Sequence, residues 1–268
     1  MIGTTISRPG SRASIRTQTP VVLVPLTTLN EAARAVGVAM AGMTYAVVGG
    51  AACNLLGSTR ATEDVDFVVP RGATAEARSL LRKTPGFTVE PRTNHTYYQS
   101  STSPIPVQIE ILTPPMLFKE EFDSTTPVIS VSGVNVLKPT FLLNAKCRSV
   151  LSRGTEEKKR TDTHDILFLL RYIATAKDMR VTIEEVPNIS KAFVDWFVQN
   201  DPQSIQLWKA AGFSVREGTL DTSEVSGEGE ESQGTSAVYL GDENGASEKD
   251  QKSEKEQALD KVEASAKQ

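Results

Sequence analysis

The sequence is poor in the residues that most often advertise chemistry. It has two cysteines, Cys53 and Cys147, and two histidines, His95 and His164, in 268 residues. The cysteines form no C-x-x-C pair, and both fall in apolar helical patterns. Buried free thiols in an intracellular protein are expected, rather than a disulfide framework. Neither histidine has a neighbour at zinc-ligand spacing. Aromatic residues make up 6% of the chain, and Trp196 and Trp208 stand at apolar helical spacing, so both read as core. No aromatic-and-basic platform for nucleic acid is evident. No apolar run approaches the length of a membrane span. Two common phosphate motifs are also missing. No G-x-x-x-x-G-K-[ST] occurs, and Gly49, Gly50 and Gly57 do not fit G-x-G-x-x-G.

Hydrophobic residues are also scarce, at 39%, and the shortfall is local. From about Glu217 onward the chain is Gly, Ser, Glu, Asp and Lys, with Val238, Tyr239 and Leu240 the main large apolar residues. Such a segment cannot bury enough apolar surface to offset its ordering entropy. Residues 213–268 therefore read as a disordered acidic tail, solubilising or autoinhibitory. Residues 1–20 lack acids and carry Arg8, Arg12 and Arg16. That composition has the flavour of a mitochondrial presequence, but Pro9 and Gly10 interrupt any helix, and an unstructured extension is expected. The net charge of −4 hides a modestly basic body in front of the tail. A basic body suits an anionic substrate such as a nucleotide or RNA. The expected location is intracellular, the cytoplasm first, with mitochondrial and nuclear placement open.

Between these ends the pattern changes once. Helical spacing over Leu29–Met40 leads to a short apolar strand, Tyr45–Val48, and a glycine turn followed by a helix over Ala51–Leu56. Asp64–Val69 alternates as a strand, Ala73–Lys83 as an amphipathic helix. Strands follow at Phe87–Glu90, His95–Ser100 and Ile105–Leu112, then a hairpin of Val128–Val131 and Val134–Leu137 around Ser132-Gly133. From Pro139 the pattern is helical: one helix to the stop at Gly154, then Thr161–Lys177, Ile189–Gln199 and Pro202–Ala211. The expected fold class is α/β (α+β), a mixed sheet flanked by helices and followed by a C-terminal helical region. The expected boundaries are 21–138 for the sheet domain and 139–212 for the helical one.

The chemistry concentrates in VVGGAACNLLGSTRATEDVDFVVP, residues 47–70. Residues i and i+2 of a strand point the same way, so Asp64 and Asp66 share a face. Two like charges there raise each other's pKa unless a cation lies between them. Hard oxygen ligands favour Mg²⁺, held by one or two carboxylates plus substrate phosphates. Glu110 occupies the corresponding face of IPVQIEIL, residues 105–112. If the two strands are neighbours, the three acids converge as a ligand set for phosphoryl or nucleotidyl transfer. A bland alternative stands beside this, because Asp-x-Asp also arises on a solvent-facing edge strand.

GGAACNLLGSTRATEDVDF, residues 49–67, resembles the glycine-turn and D-x-D motifs of the DNA polymerase β-like nucleotidyltransferase superfamily. The spelling Arg60-Ala61-Thr62-Glu63-Asp64-Val65-Asp66 is similar to the AbiEii-like branch, which includes abortive-infection and toxin–antitoxin nucleotidyltransferases. That branch carries a helix lysine, a later arginine and a D-x-x-D helix, matched here by Lys146, Arg153, Asp162 and Asp165. The resemblance spans roughly residues 43–172. It implies Asp64, Asp66 and Glu110 as catalytic metal ligands for Mg²⁺ or Mn²⁺, with Glu110 where many relatives use Asp. It implies an NTP as substrate, with Gly49 and Gly50 letting the backbone approach its triphosphate. Ser58, Arg60 and Lys146 would contact phosphates, and Asp162 or Asp165 would orient Lys146 or touch the nucleotide. Locally, Ser58 and Asp162 also read as helix caps, Arg60 as a partner of Glu63, Asp165 as a partner of Arg171, and Lys146 as an exposed helix residue. The acceptor is open among RNA, protein and small molecules. A non-catalytic nucleotide- or partner-binding module on the same fold is the alternative function.

Overall fold

The computed structural model describes residues 24–216, except 177, 178 and 180, together with 219–221. The expected extension over 1–20 and most of the expected tail lie outside these residues. The framework is a mixed seven-stranded sheet. Its strands are β1 (Ala46–Val48), β2 (Asp64–Val68), β3 (Phe87–Val89), β4 (Thr96–Tyr98), β5 (Val107–Leu112), β6 (Val128–Val131) and β7 (Val134–Leu137), in the order β3-β4-β5-β2-β1-β7-β6. β2 runs parallel to β5 and antiparallel to β1, and β1 runs parallel to β7. The fold class expected from the pattern is the one observed.

Alternation decides which side of the sheet is core. Val65 and Phe67 of β2 are buried, as are Val107, Ile109 and Ile111 of β5. Their polar neighbours Asp64, Asp66, Gln108 and Glu110 point to the opposite face, because successive side chains of a strand alternate. Helices α1 (Leu26–Ala39) and α3 (Thr74–Lys83) pack against the sheet. Helix α2 (Gly49–Leu55) follows β1 directly and touches β2.

The helical region packs α4 (Pro139–Ser152) along α5 (Glu156–Thr175), followed by α6 (Lys191–Asn200) and α7 (Ile205–Ala210). α5 starts a turn earlier than its apolar spacing predicts. Its first turn is EEKKR, which has no apolar period to read. Thr155 caps it by accepting a hydrogen bond from the Lys158 amide, and Glu156 and Glu157 sit at the positive end of the helix dipole. Phe193, Phe197, Trp208 and Phe213 form an aromatic core for this region. Trp208 is core as expected, whereas Trp196 is only partly buried. Ser214–Arg216 and Thr219–Asp221 pair antiparallel as β8 and β9, inside the stretch that composition assigns to the tail. Three-residue strands are too short to stand out from a polar background. Both cysteines are free and buried, and burial pushes the Cys53 thiol up to about 12. Among the described residues no helix is long and apolar enough to cross a membrane.

Candidate functional site

β2 and β5 are neighbours, and their register sets Asp66 opposite Glu110 and Asp64 opposite Gln108. Paired residues on adjacent strands project to one side. The three predicted acids therefore share one patch of the sheet face, with Gln108 as its fourth corner. They are not drawn together into a ligand shell: among the described residues no group of three or more acid, histidine or cysteine side chains is assembled closely enough to hold a metal. Instead the Glu110 carboxylate accepts a hydrogen bond from the Gln108 amide at 2.9 Å, and Asp64 accepts one from the Thr62 hydroxyl at 3.2 Å.

The electrostatics of the patch are nevertheless coupled. Asp66 has its pKa pushed up to about 7, first by burial and then by the charges of Asp64 and Glu110. Lys146 and Arg153 pull it the other way. An acid so placed is short of positive charge, and a hard divalent cation at the patch would relieve it. The donor chemistry fits such an ion. Glu110 would have to exchange its bond to Gln108 for the ligand role.

Gly49 and Gly50 join β1 to α2. Gly49 has φ +65°, and a Cβ there would run into the Asp66 carboxylate. A Cβ on Gly50 would lie 2.6 Å from the Arg60 guanidinium and 2.7 Å from the Thr62 hydroxyl. Side chains of the D-x-D segment fill the space that these glycines leave, which is a requirement for them beyond any approach of phosphate.

The remaining predicted residues meet in a network that joins the segment before β2 to α4 and α5. Arg60 grips Asp165 through two hydrogen bonds, of 2.7 and 3.0 Å, across 105 residues of sequence. Lys146 lies 2.9 Å from Asp162 and 2.8 Å from Asp165. Arg153 and Ser149 also bond to Asp162. Asp162 and Asp165 are fully buried. Arg60 thus pairs with Asp165 rather than Glu63, and Asp165 pairs with Arg60 and Lys146 rather than Arg171. Asp162 sits inside α5 and does not cap it. Lys146 is largely buried rather than exposed. Burial works against the charge of Lys146, but Asp165 and Asp162 outweigh it and hold its pKa above the ordinary value. Burial likewise opposes the charge of Asp162, and the bonds from Arg153 and Lys146 hold it below the ordinary carboxylate range. Ser58 is buried, and its hydroxyl accepts from the Arg60 amide at 3.3 Å.

A cavity of about 400 Å³ opens beside the acids. Of the predicted residues, Gly49, Asp66 and Lys146 line it; Asp64, Glu110, Gly50, Ser58, Arg60, Asp162 and Asp165 do not. Its helical wall adds Arg148, Ser149 and Arg153, and its rim adds Lys119 and Glu120. Arg148, Ser149, Lys119 and Glu120 were not picked out from the sequence. Arg148 and Ser149 sit two and three residues past Lys146 in α4, a clue that becomes readable once Lys146 is assigned to the site. Lys119 and Glu120 lie in a loop whose place has no local signature. The apolar part of the wall is Val48, Leu112, Leu117, Phe118 and Leu142.

No protein-family model matches the chain, and no curated protein matches it. Solved structures do. An antigenic nucleotidyltransferase-like protein from Paracoccidioides brasiliensis is similar at 24% identity, over 69% of this chain and 92% of that one, with a TM-score of 0.52. JHP933 from Helicobacter pylori is similar at 13% identity, over 69% of this chain and 79% of that one, with a TM-score of 0.46. Over the matched residues the chain shares the fold of the nucleotidyltransferase-like protein from Paracoccidioides brasiliensis.

Proposed function

We propose that the protein is a Mg²⁺- or Mn²⁺-dependent nucleotidyltransferase of the AbiEii-like kind, moving a nucleoside monophosphate from an NTP to an acceptor hydroxyl. The observation that carries it is the juxtaposition of two opposite charges across one cavity. Asp66 lines it on the sheet side, with Asp64 and Glu110 next to Asp66 on the sheet face but outside the lining; Lys146, Arg148 and Arg153 line it on the helix side. A triphosphate needs both, cations for its oxygens and carboxylates to carry a divalent ion. Asp64, Asp66 and Glu110 would hold the ion, which supplies the positive charge that phosphate oxygens and carboxylates both need.

This chain's own residues supply positioning and a proton acceptor. Lys146 is kept charged by two buried acids and lines the cavity, so it presents a fixed cation to the phosphates. Arg60, held by Asp165, serves by fixing that acid rather than by touching phosphate. The acceptor oxygen bonds to the α-phosphorus as the bond to pyrophosphate breaks, and the hydroxyl proton passes to Glu110. The grouping of Lys146, Arg153, Asp162 and Asp165 in one network supports the AbiEii-like assignment. RNA, protein and small molecules remain the candidate acceptors.

The test is transfer of label from each α-labelled NTP, with Mg²⁺ or Mn²⁺, to RNA, protein and small-molecule acceptors. Wild type is expected to label one acceptor class, and the Asp64→Asn/Asp66→Asn double variant none. Equal labelling by both, or by neither, overturns the transferase reading. A second reading, a nucleotide-binding module without turnover, is favoured by the bond that ties Glu110 to Gln108. It predicts metal-dependent NTP binding by calorimetry with no label transferred.

A further inference from the structure

A second cavity, of about 390 Å³, lies between α5 and the end of α6. It is built on the face of α5 that the catalytic network does not use. Asp162 and Asp165 both meet Lys146 of α4, and Asp165 also meets Arg60, whereas Arg160, Thr163, His164 and Leu167 line this cavity. At 100° per residue the two sets lie on opposite sides of the helix. The chain brings Trp196 to the same cavity from α6, over 30 residues away in sequence. The aromatic-and-basic combination that the linear sequence hides is thus assembled by the fold.

The lining has three kinds of group in one small space. Trp196 is partly buried and braced by Phe193 and Phe197, at ring separations of 5.7 and 6.2 Å. Leu167 lines the cavity beside it. Arg160 is exposed and, among the described residues, has no hydrogen bond or ion pair, although Glu156 one turn earlier also lines the cavity and feels its charge; His164 follows one turn later on the same face. Lys159, by contrast, is paired with Glu156 at 2.8 Å. At the far end Asn200 uses its amide nitrogen on the Trp196 carbonyl, which leaves its side-chain oxygen as an acceptor beside Asp201.

We infer that this cavity binds a nucleotide, with its base against Trp196, its phosphate on Arg160 and His164, and an exocyclic amino group on Asn200 and Asp201. A flat ring satisfies the indole wall, as bases do on aromatic side chains. One guanidinium with no hydrogen-bonded partner suits one phosphate. The two acceptors at the far end, the Asn200 oxygen and the Asp201 carboxylate, favour a base that donates, so adenine, cytosine or guanine over uracil. The volume holds a single nucleotide. The same chemistry comes from a free mononucleotide or from one unstacked unit of single-stranded nucleic acid.

The test uses the full chain carrying Asp64→Asn and Asp66→Asn, in EDTA, so that the first cavity is deprived of its metal. AMP, UMP and a short oligoadenylate are titrated while indole fluorescence and heat are recorded. Saturable binding of AMP is expected, weaker binding of UMP, and a loss of about tenfold or more in affinity with Arg160→Ala. Trp196→Leu, read by heat alone, should lose binding as well. If the oligoadenylate binds more tightly than AMP and with a steep salt dependence, the source is a nucleic acid; equal affinities point to the free nucleotide. Absence of binding at millimolar ligand, or binding that Arg160→Ala and Trp196→Leu leave unchanged, overturns the proposal. Because the double variant lacks the metal carboxylates, failure here leaves the transferase reading untouched.

Discussion

Two sets of carboxylates, a few residues apart in space, have opposite environments. Asp162 and Asp165 are fully buried yet surrounded by Arg60, Lys146, Arg153 and Ser149. Asp64, Asp66 and Glu110 are less buried, yet the donors they receive are neutral, a threonine hydroxyl and a glutamine amide. The consequence is a divergence in proton affinity. Asp162 is held below the ordinary carboxylate range, and Asp66 is pushed up to about 7. Burial alone does not make an acid unhappy; lack of a positive partner does. The helix acids have theirs in the fold; among the described residues no lysine or arginine bonds to the sheet acids.

The sharpest way to break this contrast is to neutralise each set in turn. Asp64→Asn/Asp66→Asn should cut nucleotide transfer by on the order of a thousandfold, because the cation site contributes several kcal/mol to such reactions. The same variant should melt no lower than wild type in EDTA, since it removes mutual repulsion. A lower melting temperature in EDTA would show that the sheet acids are structural after all. Asp162→Ala should do the reverse to the fold. It leaves Arg153 without its partner and Lys146 with half of its own, inside a buried network. Removing one partner of such a network costs about 3 kcal/mol or more. Urea unfolding followed by indole fluorescence measures it, and a loss under about 1 kcal/mol would mean that the network is looser than its distances imply.

The pH dependence of stability should carry the same two signs. For Asp66 the folded pKa, about 7, lies above the ordinary 3.8. Between those values the folded chain keeps a proton that the unfolded chain has lost. Stability from this group therefore falls as pH rises from about 4 to 7, then stays level. The raised pKa corresponds to about 4 kcal/mol at most. For Asp162, held below the ordinary range, stability is present above its unfolded pKa and is lost as pH falls through the folded one. Melting temperatures in EDTA from pH 4.5 to pH 7.5 read the first effect, and Asp66→Asn should flatten it. An unchanged slope in Asp66→Asn would assign the pH dependence elsewhere.

How much of this was legible in the sequence follows from the range of the interactions. The D-x-D strand, its alternation and the hairpin around Ser132-Gly133 were readable because period and turn chemistry are local. The hairpin strands fall at their expected residues. The neighbour relation of β2 and β5 was only a condition, since Asp66 and Glu110 are not linked by any short-range pattern; the parallel register supplies it. The Arg60–Asp165 bond was out of reach for the same reason. A local reading offered Glu63, three residues away, while the fold uses a partner 105 residues on. Gly50 shows the same limit from the other side. A glycine between strand and helix looks like a turn residue, and only the placement of Arg60 and Thr62 shows what occupies the space of its missing side chain.

The smallest effect separates aiming from holding. Asp64 receives one hydrogen bond, from Thr62 at 3.2 Å, and Asp162 receives one of comparable chemistry from Ser149 at 2.8 Å. Each hydroxyl is worth about 1 kcal/mol or less in stability, so neither Thr62→Val nor Ser149→Ala should unfold the protein. Their functional signatures should differ. Without Thr62 the Asp64 carboxylate has no donor to fix its direction, and the Mg²⁺ concentration for half-maximal transfer should rise severalfold while urea stability changes little. Without Ser149 the Asp162 carboxylate is still gripped by Lys146 and Arg153, so the Mg²⁺ requirement should stay put and a small stability loss should be all that registers. If both variants shift the Mg²⁺ requirement alike, the two acid sets work as one site, and the division drawn between the sheet acids and the helix acids is lost.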